Sequence, residues 1–182
     1  MKFHLIDRVL ELESGRSLLA VKNLSLTEEY LADHFPGFPV MPGVLMLEAL
    51  TQAGAWLVRE SEDFAHSIIL LKRAKTIKYG SFVEPGRQLQ LRVEMIESGP
   101  RECTLKGEGT CDTTVMVRGR FTLERYNLRE KSPDLHVVDS HIVAGLREQF
   151  STLRKGSIGS KAMARPVIVQ PKPVGAGAED RG

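Results

Sequence analysis

Apolar positions along the chain change their spacing several times, and each change marks an element. Residues 8–26, "RVLELESGRSLLAVKNLSL", set two β-prone runs on either side of Ser14-Gly15, which predicts two strands and a tight turn. From Thr27 to Gly43 the periodicity is lost. Pro36, Pro39 and Pro42 fall in its last ten residues together with Gly37 and Gly43, so this stretch reads as a stiff loop. Val44 to about Arg59 is predicted as one helix. Its apolar side chains run almost all the way round the wheel, which marks a helix buried in the fold. Pro42-Gly43 at its start leaves the first N–H groups without intrahelical partners.

The next segments read as strands. Residues 67–80, "SIILLKRAKTIKYG", begin as a buried strand and continue with alternation, and residues 87–98, "RQLQLRVEMIES", alternate at period two. Residues 101–111, "RECTLKGEGTC", and 114–126, "TVMVRGRFTLERY", pair as a hairpin around Asp112-Thr113. The expectation is a meander of these four strands with the first two strands before it. The fold class is α+β, an antiparallel sheet wrapped around one buried helix. Beyond Tyr126, Ser132-Pro133 supplies a helix N-cap followed by proline at the first helical position. Leu135, Val138, Ile142, Leu146, Phe150 and Leu153 then recur at helical spacing, predicting an amphipathic helix docked on its own domain or on a partner subunit. From Gly156 the chain is rich in Gly, Pro and Ala, basic and free of aromatics, and reads as a flexible tail. The division expected is a domain over 1–127, a helical extension over 128–155 and a tail over 156–182.

Composition narrows the function classes. With 42% hydrophobic and 26% charged residues the 182-residue chain resembles an ordinary soluble protein, and its net charge of +2 is too small to call for nucleic acid or a membrane surface. Residues 1–127 carry 16 Lys/Arg against 17 Asp/Glu and residues 128–182 carry 9 against 6, so the basic surplus belongs to the extension and tail. Cys103 and Cys111 show no disulfide or zinc spacing and read as two buried or half-buried thiols. The N-terminus, "MKFHLIDRVLELE", meets charge too early for a signal peptide. The apolar run from Val44 to Val58 is broken by Glu48 and Gln52 and is too short to span a bilayer. Cytoplasm is the expected location. No metal or cofactor is expected: His4, His66, His136 and His141 have no ligand-like partners, and the five-residue step from His136 to His141 puts them on different faces of a helix.

Candidate chemistry gathers at residues 33–58, "DHFPGFPVMPGVLMLEALTQAGAWLV". Glu48 sits among Val44, Leu45, Met46, Leu47, Ala49 and Leu50, loses water on folding, and has no cation within helical reach. Gln52, four residues on, shares its face and can hydrogen-bond to it. The plain alternative is a polar stripe on the helix surface, but only Thr51 adds to these two between Val44 and Val58. His34 is a lone loop histidine, a type more often structural or solvated. Here the three prolines fix the path of the chain behind it. The free N–H at Gly43 lies at the positive end of a helix, suited to a carbonyl oxygen gaining negative charge. Base, acid and oxyanion donor together suit proton abstraction beside a carbonyl coupled to loss of a β-hydroxyl. No serine, cysteine or lysine in the stretch offers itself as a nucleophile.

"HFPGFPVMPG" followed by "VLMLEALTQA" resembles the signature of the (3R)-hydroxyacyl-acyl carrier protein dehydratases of fatty acid synthesis, the FabZ type, with a hotdog fold. The resemblance covers about residues 3–126 and includes "LIDRVLELESG", "AVKNLS" and the "EPG" turn at Glu84. It implies a catalytic histidine at His34, a catalytic acid at Glu48, a carbonyl-binding backbone amide at Gly43 and a supporting glutamine at Gln52. Glutamate at position 48 resembles the simple dehydratases more than the dehydratase-isomerases of the FabA type. The resemblance also implies a homodimer with joined sheets, His34 of one subunit meeting Glu48 of the other, and a trimer of dimers as a further assembly. The substrate it implies is a β-hydroxyacyl chain on the phosphopantetheine of an acyl carrier protein, lying in an apolar tunnel.

The chain departs from that pattern at Phe38, where a polar residue is frequent. At residues 78–87, "KYGSFVEPGR", Phe82 takes a proline position and Arg87 an aspartate position. The last 55 residues have no counterpart. Lys72, Arg73, Lys75 and Lys78 are either a solvated strand face or a patch that steers an acidic carrier. Two further readings stand beside the dehydratase: a hotdog acyl thioesterase, which needs a positioned water rather than a base over C2, and a non-catalytic hotdog subunit that recruits a partner through its tail.

Overall fold

The computed structural model describes residues 3–155 apart from 33 and 36, and the expected tail, 156–182, lies outside the described residues. Period-two alternation becomes a two-faced strand most clearly in β4 (Gln88–Ser98). Leu89, Leu91 and Val93 enter the core while Gln90, Arg92 and Glu94 face solvent. With β1 (Arg8–Glu13), β2 (Ser17–Asn23), β3 (Ile68–Tyr79), β5 (Glu102–Cys111) and β6 (Thr114–Tyr126) it builds one antiparallel sheet in the order β1-β2-β4-β5-β6-β3. The expected four-strand meander is therefore corrected. β4, β5 and β6 follow one another, but β2 occupies the other side of β4, in register from Ser17 opposite Glu94 to Asn23 opposite Gln88. With β4 enclosed between β2 and β5, β3 pairs along the free edge of β6. The β5–β6 hairpin turns where expected, with Asp112 in the left-handed region at φ 53°.

Helix α1 (Gly43–Ser61) packs across the sheet. Two glycines leave room there for neighbouring side chains. A Cβ on Gly54 would stand 3.1 Å from both Leu105 and Phe121, and one on Gly107 would stand 3.0 Å from Phe121 and 3.1 Å from Leu50. Leu50, Leu105 and Phe121 are fully buried around this contact, each contributing about 1.5–3 kcal/mol of apolar burial. The helix is not buried throughout, however. Val44 is 69% exposed, and Leu45, Leu47, Glu48 and Gln52 are half-buried, so the first turns form a surface of the chain.

After β6 the chain makes two 3₁₀ turns, Leu128–Glu130 and Pro133–Leu135, before α2 (His136–Arg154). Ser132 stands at the N-cap position ahead of Pro133, but its side chain makes no capping hydrogen bond, and the α-helix proper starts after Leu135. The docking face keeps Ile142, Leu146, Phe150 and Leu153 of the expected stripe but departs from it at Val138. Val138 is 42% exposed, whereas Asp139 is only 4% exposed. Phe150 stacks on Trp56 of α1 with ring centroids 5.5 Å apart and meets Phe64 edge-on at 5.7 Å. Arg147 Nη1 reaches Asp63 Oδ1 at 2.7 Å and its guanidinium lies over the Phe64 ring. Asp139 accepts from the Ser67 hydroxyl and, at 2.9 Å each, from the N–H groups of Leu128 and Arg129. Burial pushes its carboxyl upward, but the Ser67 hydroxyl and the two backbone donors hold it below the usual carboxylate range. No helix among the described residues is long and apolar enough to cross a membrane.

Candidate active site

The proline loop is pinned at its far end. Val40 and Met41 are buried, and the Met41 N–H donates to Val83 O at 2.8 Å, tying the loop to the β3–β4 connection. At its near end the Phe38 N–H donates to Phe35 O at 2.7 Å and closes a turn. Phe35 adopts φ 53°, a strained conformation for a bulky residue, and its ring lies 4.4 Å from the His34 ring, centroid to centroid. His34 is half-buried. Proline stiffness is thus supplemented by an aromatic contact that holds the imidazole against its neighbour.

Where the loop becomes α1, Pro42 O accepts the N–H of Leu45 at 2.9 Å and of Met46 at 3.3 Å. The N–H groups of Gly43 and Val44 have no partner among the described residues. Over Gly43 lies the ring of Tyr79, so close that a Cβ there would be 3.2 Å from Cε1. Tyr79 is aimed by a bulge in β3, where register slips between Lys75 and Lys78 and Thr76 takes φ 55°.

About two and a half turns into α1, Gln52 Nε2 donates to Glu48 Oε1 at 3.0 Å and to Phe3 O at 3.2 Å, while Gln52 Oε1 accepts the Leu5 N–H at 2.9 Å. Glu48 is in no ion pair among the described residues. The structure therefore brings Glu48 and Gln52 into contact and sets both on the helix whose first N–H groups are open. Among the described residues no hydrogen bond joins His34 to Glu48, Gly43 or Gln52 within the chain.

Of the basic strand residues, Lys72 is paired with Glu102 at 2.9 Å and Glu124 at 3.1 Å, which raises its affinity for a proton. Arg73, Lys75 and Lys78 are exposed. Burial raises the Cys103 thiol to about 11 and lifts Cys111 as well, so neither buried thiol is activated towards the thiolate. Two participants escaped the sequence reading. Tyr79 was just another alternating strand residue, and the Phe3–Leu5 segment acts through main-chain atoms, for which side-chain pattern is silent.

Residues 1–120 match the family model described as a FabA-like domain. The 3-hydroxyacyl-acyl-carrier-protein dehydratase FabZ of Geobacillus thermodenitrificans is 38% identical over 120 residues, 63% of this chain and 83% of that relative. The FabZ of Pediococcus pentosaceus is 47% identical over 112 residues, 62% of this chain and 71% of that one. Among solved structures, the dehydratase heterocomplex ApeI:P from Xenorhabdus doucetiae superimposes with a TM-score of 0.60 at 19% identity, covering 73% of this chain and 90% of that chain. At that identity the likeness speaks for the fold, a hotdog. Helix α2 lies beyond residues 1–120, which the family model matches.

Proposed function

The chain belongs to the FabA-like family, and from that premise we propose that it is a 3-hydroxyacyl-acyl carrier protein dehydratase of fatty acid synthesis, acting by acid/base catalysis. It converts a (3R)-hydroxyacyl thioester into the trans-2-enoyl thioester. His34 takes a proton from C2, the C2–C3 double bond forms as the C3–O bond breaks, and Glu48 protonates the departing hydroxyl, so that water leaves. No oxidation state changes over the whole molecule, and no redox partner is required. The Gly43 N–H holds the thioester oxygen while negative charge builds there, and Gln52 orients Glu48.

The observation that carries this reading is the joint placement of the Glu48–Gln52 pair and two open N–H groups on the first turns of one helix. A carboxyl held by an amide five residues from an open oxyanion donor suits elimination. Residues 33–58 contain no serine, cysteine or lysine to serve as nucleophile for hydrolysis through an acyl-enzyme.

The site is completed in a homodimer, with His34 of one copy facing Glu48 of its partner. In support, His34 makes no hydrogen bond to Glu48 within the chain, β3 is an edge strand, and Phe35, Val44, Leu70, Tyr79 and Phe82 are exposed apolar side chains. The substrate arrives on an acidic acyl carrier protein, which the exposed Arg73, Lys75 and Lys78 help to steer.

The deciding experiment follows enoyl absorbance and free thiol together during incubation with a β-hydroxyacyl thioester. Enoyl product supports dehydration. Thiol release would replace it with a thioesterase, and neither signal would leave a non-catalytic subunit.

A further inference from the structure

Gln52 uses its amide in both senses, accepting from the Leu5 N–H and donating to Phe3 O and Glu48 Oε1. A reversed amide would set N–H against N–H at Leu5 and oxygen against oxygen at Phe3 and Glu48. The main chain of residues 3–5 therefore selects the one orientation in which Glu48 Oε1 is an acceptor. An oxygen that is already accepting is the poorer seat for a proton, so in the acid role proposed for Glu48 this bond leaves Oε2 as the oxygen that exchanges one.

The arm that makes this selection is gripped from two sides. Inside, Leu5 and Ile6 are buried and the Asp7 N–H donates to Val21 O at 2.8 Å. Outside, Gln149 Nε2 of α2 lies 2.9 Å from His4 Nδ1, within hydrogen-bond distance. The chain of contacts runs from α2 to His4, through the adjoining peptides to Gln52, and on to Glu48. Its first member lies outside the residues that match the family.

We propose that the Phe3–Leu5 arm is a positioning element for Glu48, and that α2 braces it through the His4–Gln149 hydrogen bond, so that the C-terminal helix sets turnover from outside the site. This rests on the dehydratase reading for the role of Glu48. Gln149 and His4 touch no substrate and act through Gln52.

The test uses the full chain, a β-hydroxyacyl thioester, and deuterium uptake across residues 3–10. Gln149→Leu lowers kcat by about threefold, the weight of one partly exposed hydrogen bond, with KM unchanged and faster uptake in the arm. Gln149→Glu, which still offers His4 a partner, restores both. Leu5→Pro removes the N–H that Gln52 needs and falls about tenfold below Leu5→Val, which keeps it. Should the proline variant not fold, the Gln149 pair decides alone. Wild-type kcat and wild-type uptake in Gln149→Leu, or no recovery in Gln149→Glu, would overturn the inference. If the wild type itself makes no enoyl product, the dehydratase reading falls instead, and deuterium uptake still decides whether α2 braces the arm.

Discussion

Ser67 donates its hydroxyl to Asp139 across 72 residues of sequence, joining the start of β3 to the first turn of α2. The same carboxylate accepts the N–H groups of Leu128 and Arg129, the first two residues of a 3₁₀ turn. One side chain thus closes the turn, anchors the helix and satisfies a strand end.

Asp139→Ala leaves three donors without an acceptor and should lower Tm by on the order of 5 °C. Because the carboxyl is held below its ordinary range in the fold, its contribution is complete at neutral pH and is lost as pH falls through the folded value. The gap in Tm between wild type and Asp139→Ala should therefore close below about pH 4. A gap that stays constant down to pH 3 would show that the charge plays no part.

His34→Ala and Glu48→Gln should each lower turnover by about 10²–10⁴-fold, the usual cost of one general acid or base, with the fold retained. Mixing the two inactive variants should restore activity, since a mixed dimer assembles one intact site from two halves. Exchange of subunits proven by mass, with no recovered activity, would place each site within one chain.

Gly43→Ala keeps the open N–H but drives a methyl group to 3.2 Å from the Tyr79 ring, which must move aside. Turnover should fall about tenfold, because a displaced oxyanion donor costs a large share of its effect. Adding Tyr79→Ala should return part of the loss by removing the obstacle. If the double variant is as slow as the single one, the cost lies in the backbone and not in the ring.

A chain ending at Tyr126 should melt lower than one ending at Lys155, because Trp56 and Phe64 lose their cover from Phe150. Sizing runs on the two should show whether assembly weakens as well. Equal melting curves would mean that α2 contributes no stability and is better regarded as a tether for another protein.

Most of the sheet was legible because strand alternation is local: β4 declares its inner face residue by residue, and the Asp112 turn declares its own hairpin. The position of β3 was not, since choosing between the free edges of β4 and β6 depends on where β2 has already paired. In α2, Val138 and Asp139 differ by one step of the helix. An apolar stripe favours the valine, but donors from Ser67, Leu128 and Arg129 draw the aspartate inward. His34, Gly43, Glu48 and Gln52 stood out because they crowd into 19 consecutive residues. The Tyr79 ring and the Phe3–Leu5 main chain did not, because tertiary packing alone brings them there.

The tight packing at Gly54 of α1 and Gly107 of β5, both against the Phe121 ring, has a bearing on selectivity. Leu50, Leu105 and Phe121, all fully buried, fill the space beside these glycines, so at this point of the seam between helix and sheet a fatty tail would have to displace core side chains. On the dehydratase reading, a long acyl chain would lie instead against the outside of α1's first turns, where Val44 is exposed and Leu47 half-exposed. Chain-length preference is then written on the skin of the subunit. Evolution could retune it there, one surface residue at a time, without disturbing the interior that keeps the protein folded.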